Sequence, residues 1–394
     1  MKILTYTTLF PNEVYPQHGV FIENRLRQIV ETGEVSADVI APVPWFPFKQ
    51  DVFGHYGSLA RIENSGKRFD LSIQHPRFLT IPKIGMHLAP ELLYRGTVTR
   101  VKRSVEETGA VLIDAHYFYP DGVAAAKIGR ALGLPVVVSA RGSDINLISQ
   151  YERPRTRIVD AARGCAAIIA VSQALKERMI EIGIDADRIH VLRNGVDLEV
   201  FSPISHEIAR EVTGIKRPTM VAVGNVLSSK GQDIAIRALT LVQNLDLVIV
   251  GTGADVPIFQ KLAIDLGIAD RVRFVGSVPQ AELRNWFSAS ELSVLASMRE
   301  GSPNVVLESI ACGTPVVAND IGGASEIITS PDAGRLMSAR TPEALAAAIE
   351  DLRASPPDRK ATRAWAENFS WKPTIEAQVS LYRDVVAQDQ RSSG

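Results

Sequence analysis

Ten short β-rich apolar runs, each followed by a loop and a helical stretch, constrain the fold of this chain more than any other feature. Five occupy residues 3–6, 38–41, 111–115, 136–139 and 167–171, and five more occupy 219–223, 245–250, 272–275, 292–295 and 315–318. Continuous apolar strands alternating with helices belong to parallel sheets covered on both faces, because each crossover helix must bury its own apolar stripe. An eight-stranded α/β barrel competes at this length, but ten runs exceed its strand count. The expectation is an α/β protein with two doubly wound domains. The turn Asn194-Gly195-Val196-Asp197 and the polar connection from Phe201-Ser202-Pro203 place the division between Asp197 and Arg217. The domains read as 1–197 and 198–370, followed by a helix over 371–394 in which Ile375, Val379, Tyr382, Val385 and Val386 keep a helical rhythm.

Composition removes several function classes. With 43 Lys and Arg against 44 Asp and Glu in 394 residues, the net charge of −1 gives nucleic-acid binding no electrostatic basis. At 46% apolar and 22% charged, the chain is far from disordered composition. No window reaches the ~18 consecutive apolar residues of a membrane span. The opening Met1-Lys2-Ile3-Leu4-Thr5-Tyr6 is interrupted too soon for a signal peptide and reads as a first strand. Cys165 and Cys312 sit among small and apolar residues and read as buried reduced thiols, the pattern of a cytoplasmic protein. The histidines show no chelating spacing, and Asp185-Ala186-Asp187 falls in a turn, so neither metal nor other cofactor is expected. Gly251-Thr252-Gly253 lacks the third glycine of a dinucleotide fingerprint, and no Gly-x-Ser-x-Gly of a hydrolase occurs.

The chemistry concentrates in Glu300-Gly301-Ser302-Pro303-Asn304-Val305-Val306-Leu307-Glu308. Ser302 suits an N-cap, Pro303 a first helical position and Gly313 a helix end, so a helix is expected over 303–311. Its free N–H groups, at Gly301, Ser302, Asn304 and Val305 around Pro303, which has none, form an anion site strengthened by the helix dipole. Glu308 lies about 7.5 Å further along the axis. Carboxylates flanking a phosphate-binding helix start suit a ligand of the sugar–diphosphate–ribose kind, since they accept hydrogen bonds from vicinal hydroxyls.

That string, with Gly313-Thr314-Pro315-Val316-Val317 and Gly322-Gly323-Ala324-Ser325-Glu326 after it, resembles the retaining nucleotide-sugar glycosyltransferases of family 4. The resemblance implies the GT-B fold: two Rossmann-like domains facing across a cleft, with a C-terminal helix crossing back to the N-terminal domain. It implies that Glu300 holds the donor sugar's hydroxyls and Glu308 the ribose. In Gly224-Asn225-Val226-Leu227-Ser228-Ser229-Lys230-Gly231, Lys230 matches the family's diphosphate lysine, while Asn225 stands where an arginine is common. The family places a histidine near the donor sugar, here His116 after the run 111–115. Ser139-Ala140-Arg141-Gly142-Ser143-Asp144 resembles its His-Gly-x-Asp strand end with Arg141 in place of histidine. Gly19 in the first βα loop and Val278 after residues 274–277 match a backbone approach to the diphosphate and a contact to the base.

The reading is a metal-independent retaining hexosyltransferase whose candidate catalytic residues are Lys230, Glu300 and His116. A GT-B-fold epimerase or phosphorylase, or a non-catalytic nucleotide-sugar binder, are the alternatives. Residues 77–103 carry Arg77, Lys83, Arg95, Arg100, Lys102 and Arg103 against Glu91, interleaved with Phe78, Leu79, Ile81, Ile84 and Leu88. With the aromatic run Pro44-Trp45-Phe46-Pro47-Phe48, this leads to the expectation of a peripheral face on anionic membrane, at its cytoplasmic side, serving a glycan or lipid-linked acceptor.

Overall fold

In the computed structural model, which describes residues 1–80 and 85–393, the ten apolar runs become strands of two sheets. The first half supplies β1 (Lys2–Tyr6), β2 (Ser36–Ile40), β3 (Val43–Pro44), β4 (Ser65–Arg68), β5 (Leu71–Gln74), β6 (Arg77–Phe78), β7 (Ile113–His116), β8 (Val136–Ala140), β9 (Ala167–Ala170) and β10 (Ile189–Val191). Eight of these form one sheet in the order β10-β9-β8-β7-β1-β2-β5-β4, and β3 pairs with β6 separately. Every pairing in the large sheet is parallel except β4 with β5. The second half supplies β11 (Thr219–Val223), β12 (Asp246–Val250), β13 (Val272–Gly276), β14 (Leu292–Leu295), β15 (Val316–Asn319) and β16 (Gly334–Met337), all parallel, in the order β13-β12-β11-β14-β15-β16.

Consecutive residues of the central strands enter different cores, which is why the runs are apolar at most positions. In the second sheet, Met220, Leu247 and Val317 pack with Ile236 and Leu345 on one face. Their neighbours Val221, Val248 and Val316 pack with Phe287 and Ile310 on the other. Strand order turns around between β1 and β7 in the first sheet and between β11 and β14 in the second. Such reversal points open a crevice at the carboxyl ends of the strands, where ligands of doubly wound sheets bind.

The chain divides into two compact units, Met1–Arg193 with the segment from Pro373, and Asn194–Lys372. The division therefore precedes Asn194 rather than following Asp197. The turn already belongs to the second unit: the Val196 N–H bonds to the Phe369 carbonyl at 2.9 Å, and a Cβ on Gly195 would lie 2.6 Å from Trp371 Cα. The last helix, Trp371–Ser393, buries Ile375, Gln378, Val379, Tyr382 and Val385. Gln378 Oε1 accepts from Arg25 Nε at 2.6 Å, within the first unit. The run at 111–115 starts as a strand only at Ile113, and His116 is its last residue rather than the first of the loop. Among the described residues no helix is long and apolar enough to cross a membrane. Both cysteines are buried free thiols, pushed up to about 12 by burial.

Candidate active site

The two loops at the reversal point of the second sheet carry most of the expected donor-site residues. Lys230 ends the tight turn Ser228–Lys230 after β11, and Glu300 follows β14. Lys230 Nζ lies 2.8 Å from Glu300 Oε1, with the side chains 33% and 12% exposed. The lysine turn is strapped in place: the Met298 N–H donates to Ser229 O at 2.7 Å, and Arg340 donates to Ala296 O at 2.9 Å and Ser228 O at 3.0 Å. The Gly-Gly motif has its reason here. Gly322 has φ +49°, and a Cβ on it would sit 2.2 Å from the Glu300 carbonyl oxygen. Gly322→Ala should cost on the order of 1–3 kcal/mol through backbone strain, read as a fall in Tm; an unchanged Tm contradicts the role given to this contact.

The helix after Glu300 spans Asn304–Ala311, one residue later than expected. Pro303, at φ −78° and ψ 97°, is extended and occupies the cap position itself, so Ser302 does not cap the helix and no side chain does. The first N–H groups thus keep the anion-binding character of an uncapped helix start. Gly301 and Pro303 are buried, while Ser302, Asn304 and Val305 are half-buried. Asn304 Oδ1 accepts from Asn194 Nδ2 at 2.9 Å, which ties the Asn194-Gly195 turn to this helix.

Glu308 is 7% exposed and accepts from Gln280 Nε2 at 3.1 Å. Burial pushes its carboxyl up to about 7, against the downward pull of Gln280. Sequence reasoning missed Gln280, whose one signal is its place two residues after the half-buried Val278 in the loop following β13. Asn225 is exposed, and its carbonyl accepts from Gln232 Nε2 at 3.0 Å.

In the first unit, loops after β1, β7 and β8 meet through two buried carboxylates. Asp121 accepts from the Thr8 N–H at 2.6 Å and from the hydroxyls of Thr7 and Thr8; burial, stronger than these bonds, raises it to about 7. Asp144 accepts from the N–H groups of Phe118 at 2.6 Å and Gly142 at 2.7 Å, and burial again raises it. Gly19, at φ +76°, caps the helix Val20–Glu31, and a Cβ there would lie 2.3 Å from Leu9 O, so packing of its own loop already requires glycine.

Both ring nitrogens of His116 are hydrogen-bonded within the first unit. The residue is 1% exposed, its Nε2 lies 2.9 Å from Asp114 Oδ2, and its Nδ1 is hydrogen-bonded to a terminal nitrogen of the half-buried Arg141. Burial lowers the pKa of His116, opposed by Asp114 and reinforced by Arg141 and Arg25.

The basic stretch is largely neutralised by its own helix, Ala89–Thr108. Arg95 pairs with Glu91 at 2.7 Å, Arg103 with Glu107 at 2.7 Å, and Lys102 lies 3.8 Å from Glu106. Arg77 donates to the carbonyls of Leu59 and Ile62. Glu106 and Glu107 fall just beyond residues 77–103, which is why the charge looked unbalanced in sequence. Ile81, Lys83 and Ile84 lie outside the described residues. The aromatic part is exposed: Trp45, Phe48 and Phe53 stand open to solvent, with the Phe48 and Phe53 rings stacked at 5.0 Å.

Two family models match, Glycosyltransferase Family 4 over residues 34–200 and Glycosyl transferases group 1 over residues 205–369. A D-inositol 3-phosphate glycosyltransferase of Paenarthrobacter aurescens is 30% identical over 326 residues, covering 76% of this chain and 79% of that protein. A putative teichuronic acid biosynthesis glycosyltransferase, TuaC of Bacillus subtilis, is 28% identical over 408 residues, covering 98% and 94%. The structure of HepE from Anabaena in complex with UDP-glucose superposes with a TM-score of 0.72 at 21% identity, covering 98% and 99%.

Proposed function

The chain belongs to the family 4 glycosyltransferases, of GT-B fold, and on that premise we propose that it moves a hexosyl unit from a nucleotide-diphosphate sugar to a glycan or lipid-linked acceptor, with retention and without metal. The observation that carries this reading is the Lys230–Glu300 pair at 2.8 Å, set between the reversal-point loops and followed directly by an uncapped helix start. Lys230 and the helix N–H groups face the diphosphate and stabilise its charge as it leaves. Glu300 holds sugar hydroxyls and Glu308 the ribose. The acceptor hydroxyl attacks from the face that the diphosphate vacates, passing its proton to the departing phosphate oxygen. Asp185 of the Asp-x-Asp caps its own turn, accepting from the Asp187 N–H at 3.1 Å, which accounts for that motif without a metal. The UDP-glucose complex of HepE and the glycan chemistry in the name of TuaC support the donor and acceptor classes.

A thermal-shift series with UDP, GDP and ADP, then their sugars, tests the donor class. One nucleotide should raise Tm in a concentration-dependent way; no shift with any of them contradicts the reading. Nucleotide release that depends on acceptor separates transfer from epimerisation and from mere binding.

Glu308 makes nucleotide binding pH-dependent. Its carboxyl is raised in the folded protein, so the proton it holds stabilises the fold at low pH, and that contribution is lost as pH rises through about 7. Ribose hydroxyls donate to the ionised form, so binding must expel the proton below that pH. Nucleotide Kd should tighten by up to ~10-fold between about pH 6 and 8, and Glu308→Gln should flatten the curve. A flat profile in the unaltered protein contradicts ribose binding by Glu308.

The exposed Trp45, Phe48 and Phe53 support peripheral membrane contact, resting on aromatic insertion more than on charge. Anionic vesicles should pellet the protein at low salt, and Trp45→Ala with Phe48→Ala should abolish pelleting. Failure of the unaltered protein to pellet overturns it.

A further inference from the structure

We propose that His116 is a positioning residue, holding the Arg141 guanidinium at the carboxyl edge of the first sheet so that Arg141 meets an anionic group of the substrate. This rests on the transferase reading and adds the part played by the first unit. An ionised aspartate only accepts hydrogen bonds and an arginine only donates them. A ring held between Asp114 Oδ2 at Nε2 and Arg141 at Nδ1 must therefore donate from Nε2 and accept at Nδ1, a single neutral tautomer. Both ring nitrogens are engaged in this arrangement, and the ring is 1% exposed.

The relay is anchored from behind. The Tyr382 hydroxyl and the His116 ring both favour ionised Asp114, and together with Arg141 they outweigh the upward push of complete burial. Gln378 Nε2 donates to the Tyr382 oxygen, and Arg25 Nε donates to Gln378 Oε1 at 2.6 Å. The last helix of the chain thus contributes a hydroxyl that favours the charged form of the acid that orients the ring. Arg141 is gripped at its other end too: its N–H donates to Asp144 Oδ1 at 3.1 Å, and its guanidinium carbon lies 5.5 Å from the Phe21 ring centre. Burial first, then Arg25, bring its pKa down to about 9, which leaves it a cation at neutral pH. A planar fork held in fixed orientation is the group that recognises phosphate or carboxylate.

Two measurements test this. Nitrogen NMR of histidine-labelled protein should show His116 as the neutral Nε2–H tautomer, unchanged across neutral pH. An Nδ1–H tautomer, or titration with an ordinary histidine pKa, overturns the proposal even if no donor is turned over. In acceptor-dependent nucleotide release, His116→Ala and Arg141→Met should each lower kcat/KM by ~100-fold, while the double variant falls no further than Arg141→Met alone, since the two act as one unit. His116→Gln, which retains a donor and an acceptor, should recover to within ~10-fold of the unaltered protein. Multiplicative losses in the double variant, or a folded His116→Gln as inactive as His116→Ala, overturn it. A wild-type protein that releases no nucleotide from any donor sinks the transferase reading instead, and leaves the tautomer result to decide the relay.

Discussion

Replacing Lys230 with alanine is expected to lower kcat by at least ~100-fold, a loss of about 2.7 kcal/mol of transition-state stabilisation. The size follows from how few cations share the task. Asn225 occupies the position where an arginine is common, and the lysine turn is held by Met298 and Arg340 so that Lys230 needs little reorganisation as charge develops. The 2.8 Å contact with Glu300 also means that alanine leaves a carboxylate, 12% exposed, without that partner. Glu300→Gln on the Lys230→Ala background separates the two contributions. The deciding quantity is acceptor-dependent release of nucleotide at saturating donor. The loss should far exceed any change in nucleoside binding, because a nucleoside has no diphosphate. A rate within about threefold of the unaltered protein contradicts the assignment and leaves Lys230 a structural partner of Glu300.

The two glutamates should separate by what they hold. Glu308→Gln should weaken free nucleotide binding by ~10-fold or more, the scale of one hydrogen bond to a charged acceptor. Glu300→Gln should leave nucleotide affinity near normal and cut turnover, since the partner proposed for it is the sugar. The structure sharpens the contrast: Glu308 lies inside its helix against Gln280, and Glu300 precedes the helix beside Lys230. Titration calorimetry with nucleoside diphosphate reads the difference, and equal loss in both variants refutes it.

Most of the ten apolar runs were legible because a strand with both faces buried is apolar at most positions, as Met220 and Val221 show by facing opposite cores. β4 was not legible. Its Ser65-Gly66-Lys67-Arg68 is an edge strand, paired on one side to β5, and carries no apolar residue to announce it. In the candidate site, Glu300, Glu308 and Lys230 stood out because they lie in a contiguous string or a patterned loop. Gln280 and Asn194 could not, since each reaches Glu308 or Asn304 only through the fold. The contacts of His116 were hidden for the same reason. Alternation along β7 puts Asp114 and His116 on one side of the strand, but Arg141 comes from the next strand's end and Tyr382 from the last helix.

The most direct test of the whole account is proton NMR of the first minutes of turnover of the nucleotide sugar that raises Tm most. The account predicts release of nucleoside diphosphate together with a product whose new glycosidic carbon keeps the donor's anomeric configuration, and loss of that signal in Lys230→Ala. An inverted anomeric centre would contradict the retaining mechanism, and a donor left intact in the presence of every acceptor would contradict glycosyl transfer itself.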